Sequence, residues 1–206
     1  MITPPDRPSA SIDRLINALA PFGEPIDVAA KKRLNWEKEG NPSVYLFLSG
    51  ELSISRVTDG ILVATVNEPH VFGFSELFYP LRGNRLRAET ACKLSRLEQQ
   101  KAEDIIGQHG LWRDVAAVLA FHTNRMVYRD LQIMNQRTYP IVCYYLRELN
   151  ALPHETKARV NILNYIQERS GLSRSSILNI ISSLKTDKAI NFARGGYGLE
   201  VFDLPD

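Results

Sequence analysis

Residues 173–179 contain side chains whose types and spacing suit the recognition of double-stranded DNA. Arg174 can form a bidentate pair with guanine O6 and N7, and Asn179 can do the same with adenine N6 and N7. The small hydroxyl side chains beside them permit close approach and can contact phosphate, as can nearby basic residues. The residues predicted to bind DNA are Ser173, Arg174, Ser175, Ser176, Asn179, Lys185, Arg194 and Tyr197.

A helix-turn-helix is predicted to position these side chains. Gly171 suits the left-handed residue that ends a first helix over 158–169, and Ser173 is a natural N-cap for a second helix. In this second helix, over 173–185, four apolar residues recur at helical spacing and must face the core. They are Ile177, Ile180, Ile181 and Leu184.

A β-hairpin over 190–202 follows, and its Gly-Gly turn carries Arg194 and Tyr197. A hairpin in this place has the form of the wing that touches DNA beside the recognition helix. The alternative is a plain helical hairpin with a solvated polar face. The coincidence of turn glycine, N-cap, apolar stripe and wing favours DNA binding.

Local charge agrees with this interpretation although the whole chain is nearly neutral. The 206 residues include 25 Lys and Arg and 23 Asp and Glu, a formal charge of +2. From Arg169 to Arg194, five basic residues accompany a single acidic one, Asp187. Such a surface supplies the salt-dependent, sequence-independent part of DNA affinity. Because the excess is modest, we expect base contacts and dimerisation to matter more than bulk charge.

The first half of the chain predicts an antiparallel sandwich or roll. From about residue 34 to residue 98, short apolar runs are separated by turn residues, with glycines every ten to thirteen positions. Thr58-Asp59-Gly60 predicts a hairpin turn. A short helix begins near Ile12, and the proline-rich residues before it predict a flexible tail.

A long helix is predicted next, because residues 111–137 contain neither Gly nor Pro. Six residues in it recur at alternating steps of four and three, which is the pattern of a coiled-coil seam. We expect this seam to form a homodimer with recognition helices roughly 34 Å apart. A helix packed on its own sheet is the alternative. The seam residues are Val115, Leu119, His122, Met126, Arg129 and Ile133.

The predicted architecture is α+β, with an antiparallel β-roll before a winged helix-turn-helix and a hinge near residues 136–140. No apolar stretch approaches the roughly 20 residues of a membrane span. The first residues lack the order of a signal peptide, so we expect a cytoplasmic protein without membrane contact. The predicted segments are a flexible tail (1–10), a sensor-like β-roll (11–110), a dimerisation helix (111–138) and the winged helix-turn-helix (139–206).

This order of segments resembles the CRP/FNR superfamily of bacterial transcription regulators, over about residues 34–206. Three segments carry the resemblance most clearly: Tyr45-Leu-Phe-Leu-Ser-Gly-Glu-Leu-Ser-Ile, Ala88-Glu-Thr-Ala-Cys-Lys-Leu and Gly171-Leu-Ser-Arg-Ser-Ser-Ile. Within the superfamily, the chain looks most similar to regulators described as inhibitors of hydrogen-peroxide resistance. The resemblance implies a cyclic-nucleotide-binding-like roll, a DNA-binding homodimer, RNA polymerase as a further partner and a link to oxidative stress.

The segment that corresponds to the cyclic-AMP pocket of the superfamily departs from the pattern. Members that bind cyclic AMP carry Gly-Glu-x-Ala/Gly-Leu, followed by an Arg-Ser or Arg-Thr pair that holds the phosphate. Here Phe74 stands in place of the glutamate, and Glu76 follows two residues later, about 7 Å away on an extended strand. We therefore do not expect cyclic AMP. The alternative is a degenerate pocket for an anion, formed by Glu76, Arg85 and Arg87, although these arginines could simply pair with Glu89.

Other chemistry has less support in the sequence. Residues 1–30 contain no cysteine for an iron–sulfur cluster, and the four histidines lack ligand spacing, so no metal or cofactor is predicted. Cys143, near the hinge, is the redox candidate, although buried cysteines are usually inert. No phosphate loop or hydrolase motif is present, so no catalytic residue is predicted and an enzyme is not expected. A ligand-binding module that acts through protein partners is the remaining alternative.

Overall fold

The computed structural model describes residues 3–38, 41–79, 83–133 and 136–204. Two compact units are formed, one within residues 1–128 and one within residues 129–206. In the described part of the chain, no helix has both the length and the apolar character needed to cross a membrane.

In the part of the N-terminal unit that the structure describes there are three α-helices, eight strands and most of a fourth α-helix, with a short 3-10 turn at Ala20–Phe22. The helices are α1 (Ser9–Leu19), α2 (Phe74–Phe78), α3 (Gln99–Gln108) and α4 (Trp112–Ile133), the last of which ends in the second unit. The strands are β1 (Glu24–Val28), β2 (Glu37–Lys38), β3 (Asn41–Ser49), β4 (Leu52–Arg56), β5 (Leu62–Val66), β6 (His70–Phe72), β7 (Asn84–Ala88) and β8 (Cys92–Glu98).

The strands form two antiparallel sheets. One has the order β1-β8-β3-β2, with β6 also paired to β3, and the other has the order β5-β4-β7. The chain at residues 32–34 adds backbone hydrogen bonds to β7. The predicted turn at residues 58–60 connects β4 and β5. The α+β fold with an antiparallel roll is therefore confirmed.

Strand β3 has core on both of its faces. Val44 and Leu46 join a cluster that includes buried residues of α1, α3 and α4. Tyr45 and Phe47 join a second cluster with side chains of β4, β7 and β8. Because a strand that is buried on both faces has no polar side, residues 44–47 are a continuous apolar run rather than an alternating one.

Several elements of this unit differ from the expectation. Helix α1 begins at Ser9, and the Arg7 side chain pairs with Glu68, so the predicted tail over residues 1–10 is too long. Strand β1 was not predicted, because its burial alternates weakly and it contains Pro25. Phe74–Phe78 is a short helix and not a strand, since Gly73 takes a left-handed conformation with φ of 99° before it.

The C-terminal unit is a small domain with its own core. Its elements are α5 (Thr138–Asn150), α6 (His154–Arg159), α7 (Ile162–Ser170), α8 (Arg174–Thr186), β9 (Ile190–Ala193) and β10 (Tyr197–Val201). Pro140 lies in the first turn of α5, where a missing N–H costs no helical hydrogen bond. The single helix predicted over 158–169 is instead α6 and α7, because Asn161 caps a new helix.

Candidate nucleic-acid interface

The turn between α7 and α8 is held by its own hydrogen bonds. Gly171 has φ of 69° and donates its N–H to the carbonyl of Gln167, which ends α7. The hydroxyl of Ser170 donates to Ile166 and accepts from the N–H of Leu172. A left-handed residue at this position favours glycine. The turn is therefore a defined corner that sets the direction of α8.

Ser173 caps α8 as predicted. Its hydroxyl oxygen accepts from the backbone N–H of Ser176 at 3.2 Å and also lies 2.8 Å from the Ser176 hydroxyl. The Ser175 hydroxyl lies 3.2 Å from the same oxygen. These hydroxyls satisfy the start of the helix, so their first role is to stabilise α8.

The two sides of α8 differ sharply in burial. Ile177, Ile181 and Leu184 are at most 5% exposed in the core of the C-terminal unit. Arg174 and Asn179 are exposed, and their side chains make no hydrogen bond or ion pair among the described residues. Two donor side chains at the start of an exposed helical face can read base edges in a major groove.

Leu178 was missed as a candidate for DNA contact. It lies on α8 outside the apolar stripe and is 40% exposed. An exposed leucine among polar side chains can pack against a thymine methyl group. The sequence signal was present, because Leu178 directly follows a core residue and breaks the polar pattern of the exposed face.

Strands β9 and β10 form the predicted wing, and Asn161 ties the turn of this wing to α7. The Asn161 side chain accepts from the Asn164 N–H at 3.0 Å and donates to the Gly195 carbonyl at 2.6 Å. The N–H of Ile162 donates to the Gly196 carbonyl. Gly195 and Gly196 have φ of 88° and 82°, which a side chain would strain. Arg194 and Tyr197 are exposed beside this turn.

The basic surface is smaller than the sequence indicates. Arg169 is 6% exposed, and its guanidinium carbon lies 3.5 Å from the centroid of the Tyr165 ring. The Lys185 ammonium lies 4.0 Å from the centroid of the Phe192 ring and donates to the Phe192 carbonyl. Arg169 therefore acts within the core. Lys185 is held against β9, which leaves Arg174, Lys188 and Arg194 as the extended cations.

Five of the six residues of the predicted dimer seam contact their own chain. Val115 is 1% exposed in the core of the roll, and Leu119 packs on the same core. The imidazole of His122 meets that of His70 with 2.7 Å between their Nε2 atoms. In the C-terminal unit, Arg129 donates to the carbonyl of Arg169, and Ile133 packs on the core. Met126, at 57% exposure, is the member that projects outward.

The predicted anion ligands lie on two different elements of the roll, α2 and β7. Leu86 and Ala88 of β7 face the core, so the alternate residues Arg85 and Arg87 lie on the opposite face of that strand. Arg87 pairs with Glu89 at 2.7 Å, and Glu76, on α2, accepts from the Ser75 hydroxyl. Phe74 is 2% exposed and fills the core. The 7 Å displacement expected for Glu76 assumed an extended strand and is wrong for a helix.

Glu89 belongs to a polar cluster instead. Its carboxylate accepts from Lys31 and from the Ser53 hydroxyl, both at 2.6 Å, and from Arg87. Burial acts to raise the pKa of Glu89, but these three donors outweigh it and lower the pKa to about 2. The arginine and lysine of this cluster therefore neutralise an internal carboxylate.

Cys143 lies in α5 and is 1% exposed in the core of the C-terminal unit, and not at an accessible hinge. Burial raises the pKa of its thiol, although Arg147 and Tyr139 oppose this shift. A buried neutral thiol reacts slowly with oxidants, because the thiolate is the nucleophile. The structure therefore argues against the redox role predicted for Cys143.

Comparisons with known proteins agree with this geometry. Residues 138–206 match the model of a family described as winged helix-turn-helix DNA binding. The chain is 26% identical over 158 residues to the inhibitor of hydrogen peroxide resistance of Salmonella typhimurium, with 76% of both proteins covered.

Solved structures share the fold over nearly the whole chain. The c-di-GMP-responsive global regulator CLP of Xanthomonas campestris superposes with a TM-score of 0.75 at 16% identity, covering 93% of this chain and 100% of CLP. A CRP/FNR family regulator of Thermus thermophilus gives a TM-score of 0.63 at 20% identity, covering 87% of this chain and 94% of that regulator.

The chain has the fold of the CRP/FNR regulators, and its C-terminal unit matches a family of winged helix-turn-helix DNA-binding domains. More particularly, the chain is similar to the inhibitors of hydrogen peroxide resistance, as the sequence resemblance predicted.

Proposed function

We propose that this protein is a cytoplasmic, non-enzymatic regulator that binds a specific, pseudo-palindromic DNA site as a homodimer. The observation that carries the proposal is the exposed face of α8, where Arg174 and Asn179 extend without internal partners among the described residues from a helix anchored by Ile177 and Ile181. Arg174 reads guanine, Asn179 reads adenine, and Leu178 contacts a thymine methyl group. Arg194 and Tyr197 of the wing contact the neighbouring backbone.

The homodimer forms through an exposed stripe of α4, which replaces the seam predicted from the sequence. Five residues on this stripe recur at steps of four, three, four and four, and all are exposed in the single chain. Small residues at the start of the stripe let two helices approach closely. Val127 and Leu131 are each 50% exposed and gain most from burial. The stripe consists of Ala116, Ala120, Thr123, Val127 and Leu131.

Cyclic AMP is not the effector in this proposal. Phe74 fills the core where cyclic-AMP-binding relatives place a glutamate, and Arg87 is neutralised by Glu89. A role in the response to peroxide is suggested by the names of the relatives, and RNA polymerase is proposed as the partner through which transcription changes.

Selection of duplexes from a random DNA pool by the purified full-length protein tests the proposal. We expect enrichment of a two-fold symmetric site and a much higher affinity for it than for shuffled DNA, measured by fluorescence anisotropy. Affinity that is equal for all duplexes would overturn the proposal and favour a module that acts through protein partners. Calorimetry with cyclic AMP should show no binding at micromolar concentrations. Transcript profiles with and without hydrogen peroxide, in cells with and without the protein, test the stress link.

A further inference from the structure

The backbone carbonyl of Arg169 accepts hydrogen bonds from two other helices of the C-terminal unit. This residue lies at the C-terminal end of α7, two positions before the turn glycine of the helix-turn-helix. Its carbonyl oxygen accepts a hydrogen bond from Nη2 of Arg129 and another from the Tyr145 hydroxyl, each at 2.9 Å. A carbonyl oxygen has two lone pairs, so both are used. Residues from α4 and α5 therefore meet at the last turn of α7.

The last turn of α7 makes further contacts of its own. The guanidinium of Arg169 stacks on Tyr165 and donates to the Tyr165 carbonyl at 3.3 Å. The Tyr165 hydroxyl is in turn bonded to Glu148 at 2.9 Å. Because Gly171 and Ser170 fix the corner that follows, a displacement of this last turn moves α8 with it. The position of the recognition helix thus depends on what holds the Arg169 carbonyl.

The guanidinium of Arg129 is well suited to bind the Arg169 carbonyl. The C-terminal end of a helix carries a partial negative charge on its unpaired carbonyls, and a guanidinium stabilises it more than a neutral donor does. Arg129 lies in α4, one turn before this helix ends at Ile133. The exposed stripe of the same helix is the proposed dimer interface. Hydrogen bonds to charged groups are also shorter and stronger than neutral ones.

We propose that Arg129 is a positioning residue for DNA recognition: it fixes the end of α7, and through the helix-turn-helix corner it sets the position of α8 within the C-terminal unit. The inference rests on the proposed function. Arg129 itself does not touch DNA in this proposal, and it acts through the Arg169 carbonyl.

The test compares Arg129→Gln with wild type on the duplex selected by the wild-type protein. Arg125→Gln is the matched control, because it removes the same charge one turn earlier from an exposed position of the same helix. We expect Arg129→Gln to lower affinity about tenfold, in line with the loss of one charged hydrogen bond. Arg125→Gln should change it by less than about twofold. Arg129→Lys, which keeps a charged donor, should restore part of the affinity.

A second readout separates positioning from direct contact. Loss of a phosphate contact reduces the slope of log K against log salt concentration by about 0.9, whereas a positioning role leaves the slope unchanged. Amide exchange at residues 170–172 should accelerate in Arg129→Gln while the sedimentation coefficient stays that of wild type. Tyr145→Phe removes the other donor, and its effect should be non-additive with Arg129→Gln.

The inference would be overturned if Arg129→Gln bound the selected duplex with wild-type affinity. A slope of log K against log salt concentration that fell by the amount expected for one phosphate contact would overturn it as well. An equal loss in Arg125→Gln would also do so, because it would indicate a general effect of charge. Failure of the wild-type protein to select any duplex would instead remove the proposed function, so the two failures are distinguishable.

Discussion

The Nε2 atoms of His70 and His122 lie 2.7 Å apart and join strand β6 to helix α4 inside the N-terminal unit. At this distance one imidazole donates and the other accepts, so the two rings are not both charged. Burial lowers the pKa of His70 to about 3, with the charges of His122 and Arg7 as further causes, and burial lowers the pKa of His122 to about 4. Pairs of this kind link stability to pH.

Stability of the N-terminal unit should therefore fall as pH decreases from about 6.5 toward 4. The unfolded chain takes up protons on these imidazoles near pH 6.5, whereas the folded chain does not until its lowered pKa values are reached. Each imidazole contributes about 1.4 kcal/mol per pH unit in this window. The stabilisation is complete above pH 6.5. Both tryptophans of the chain, Trp36 and Trp112, lie in this unit, so urea unfolding followed by their fluorescence at pH 7.5 and 5.0 measures the effect.

His122→Gln provides the specific check, because it removes one of the two imidazoles. The pH dependence between 6.5 and 5 should fall by about half. His154→Gln, at an exposed position, is the control and should leave it unchanged. A His122→Gln protein with the pH dependence of wild type would show that the pair does not link stability to pH.

Arg174→Ala should relax specificity at one base position of each half-site. The expected loss is about 1–3 kcal/mol against the preferred site, because a bidentate contact to guanine disappears. Anisotropy titrations with duplexes substituted at each position measure this. Lys188→Ala is the comparison, since an exposed lysine that contacts phosphate should weaken all duplexes equally and reduce the salt slope. If Arg174→Ala lowered the affinity for all duplexes equally, Arg174 would contact only the DNA backbone, as proposed for Lys188.

Asn161→Ala should loosen the wing. The change removes the cap of α7, which costs about 1 kcal/mol, and the hydrogen bond to the Gly195 carbonyl. Exchange of the Gly196 amide should accelerate, and DNA affinity should fall by a similar factor for all duplexes. Asn164→Ala is the matched control, because its side chain is exposed and its role in the cap is limited to its backbone N–H. Identical exchange in the two variants would argue against the tether.

Val127→Glu should convert the dimer into monomers, as measured by sedimentation velocity. Two glutamates would have to be buried against each other in the proposed α4 interface, which is costly. Arg125→Glu introduces the same side chain nearby and should remain dimeric. Leu119→Glu should instead destabilise the N-terminal unit, because Leu119 packs on its core. A dimeric Val127→Glu protein would place the interface elsewhere.

Cys143→Ser should leave any peroxide-dependent change in DNA affinity as it is in wild type. The raised thiol pKa and the burial of Cys143 keep its thiolate population low. Iodoacetamide should accordingly label Cys143 slowly in the native protein and rapidly in urea, as followed by mass spectrometry. Rapid labelling of the folded protein would reopen a redox role.

The helix-turn-helix was predictable because its signals are local. Gly171 and Ser173 act within a few residues of their own positions, and both perform the roles that their residue types predict. The apolar stripe of α8 is likewise a property of one helix. These features depend on the backbone preferences and capping ability of single residues, which can be identified directly from the sequence.

The dimer seam could not be read in the same way, because burial on a long helix has more than one possible cause. Val115 and Leu119 form an apolar stripe whether they face a second copy or their own roll. The polar members of the seam were the informative ones. His122 and Arg129 find partners within the chain, His70 and the Arg169 carbonyl, that lie 52 and 40 residues away in sequence. Periodicity does not identify such distant partners.

Burying the Arg169 guanidinium against Tyr165 affects how a regulator of the proposed kind would search a chromosome. With few extended cations on its helix-turn-helix surface, each encounter with non-specific DNA releases few counterions and is brief. The protein would then reach its site through many short visits from solution, with little sliding along the duplex. Little of it would be sequestered by bulk DNA, so occupancy of the site would follow the number of free dimers in the cell closely.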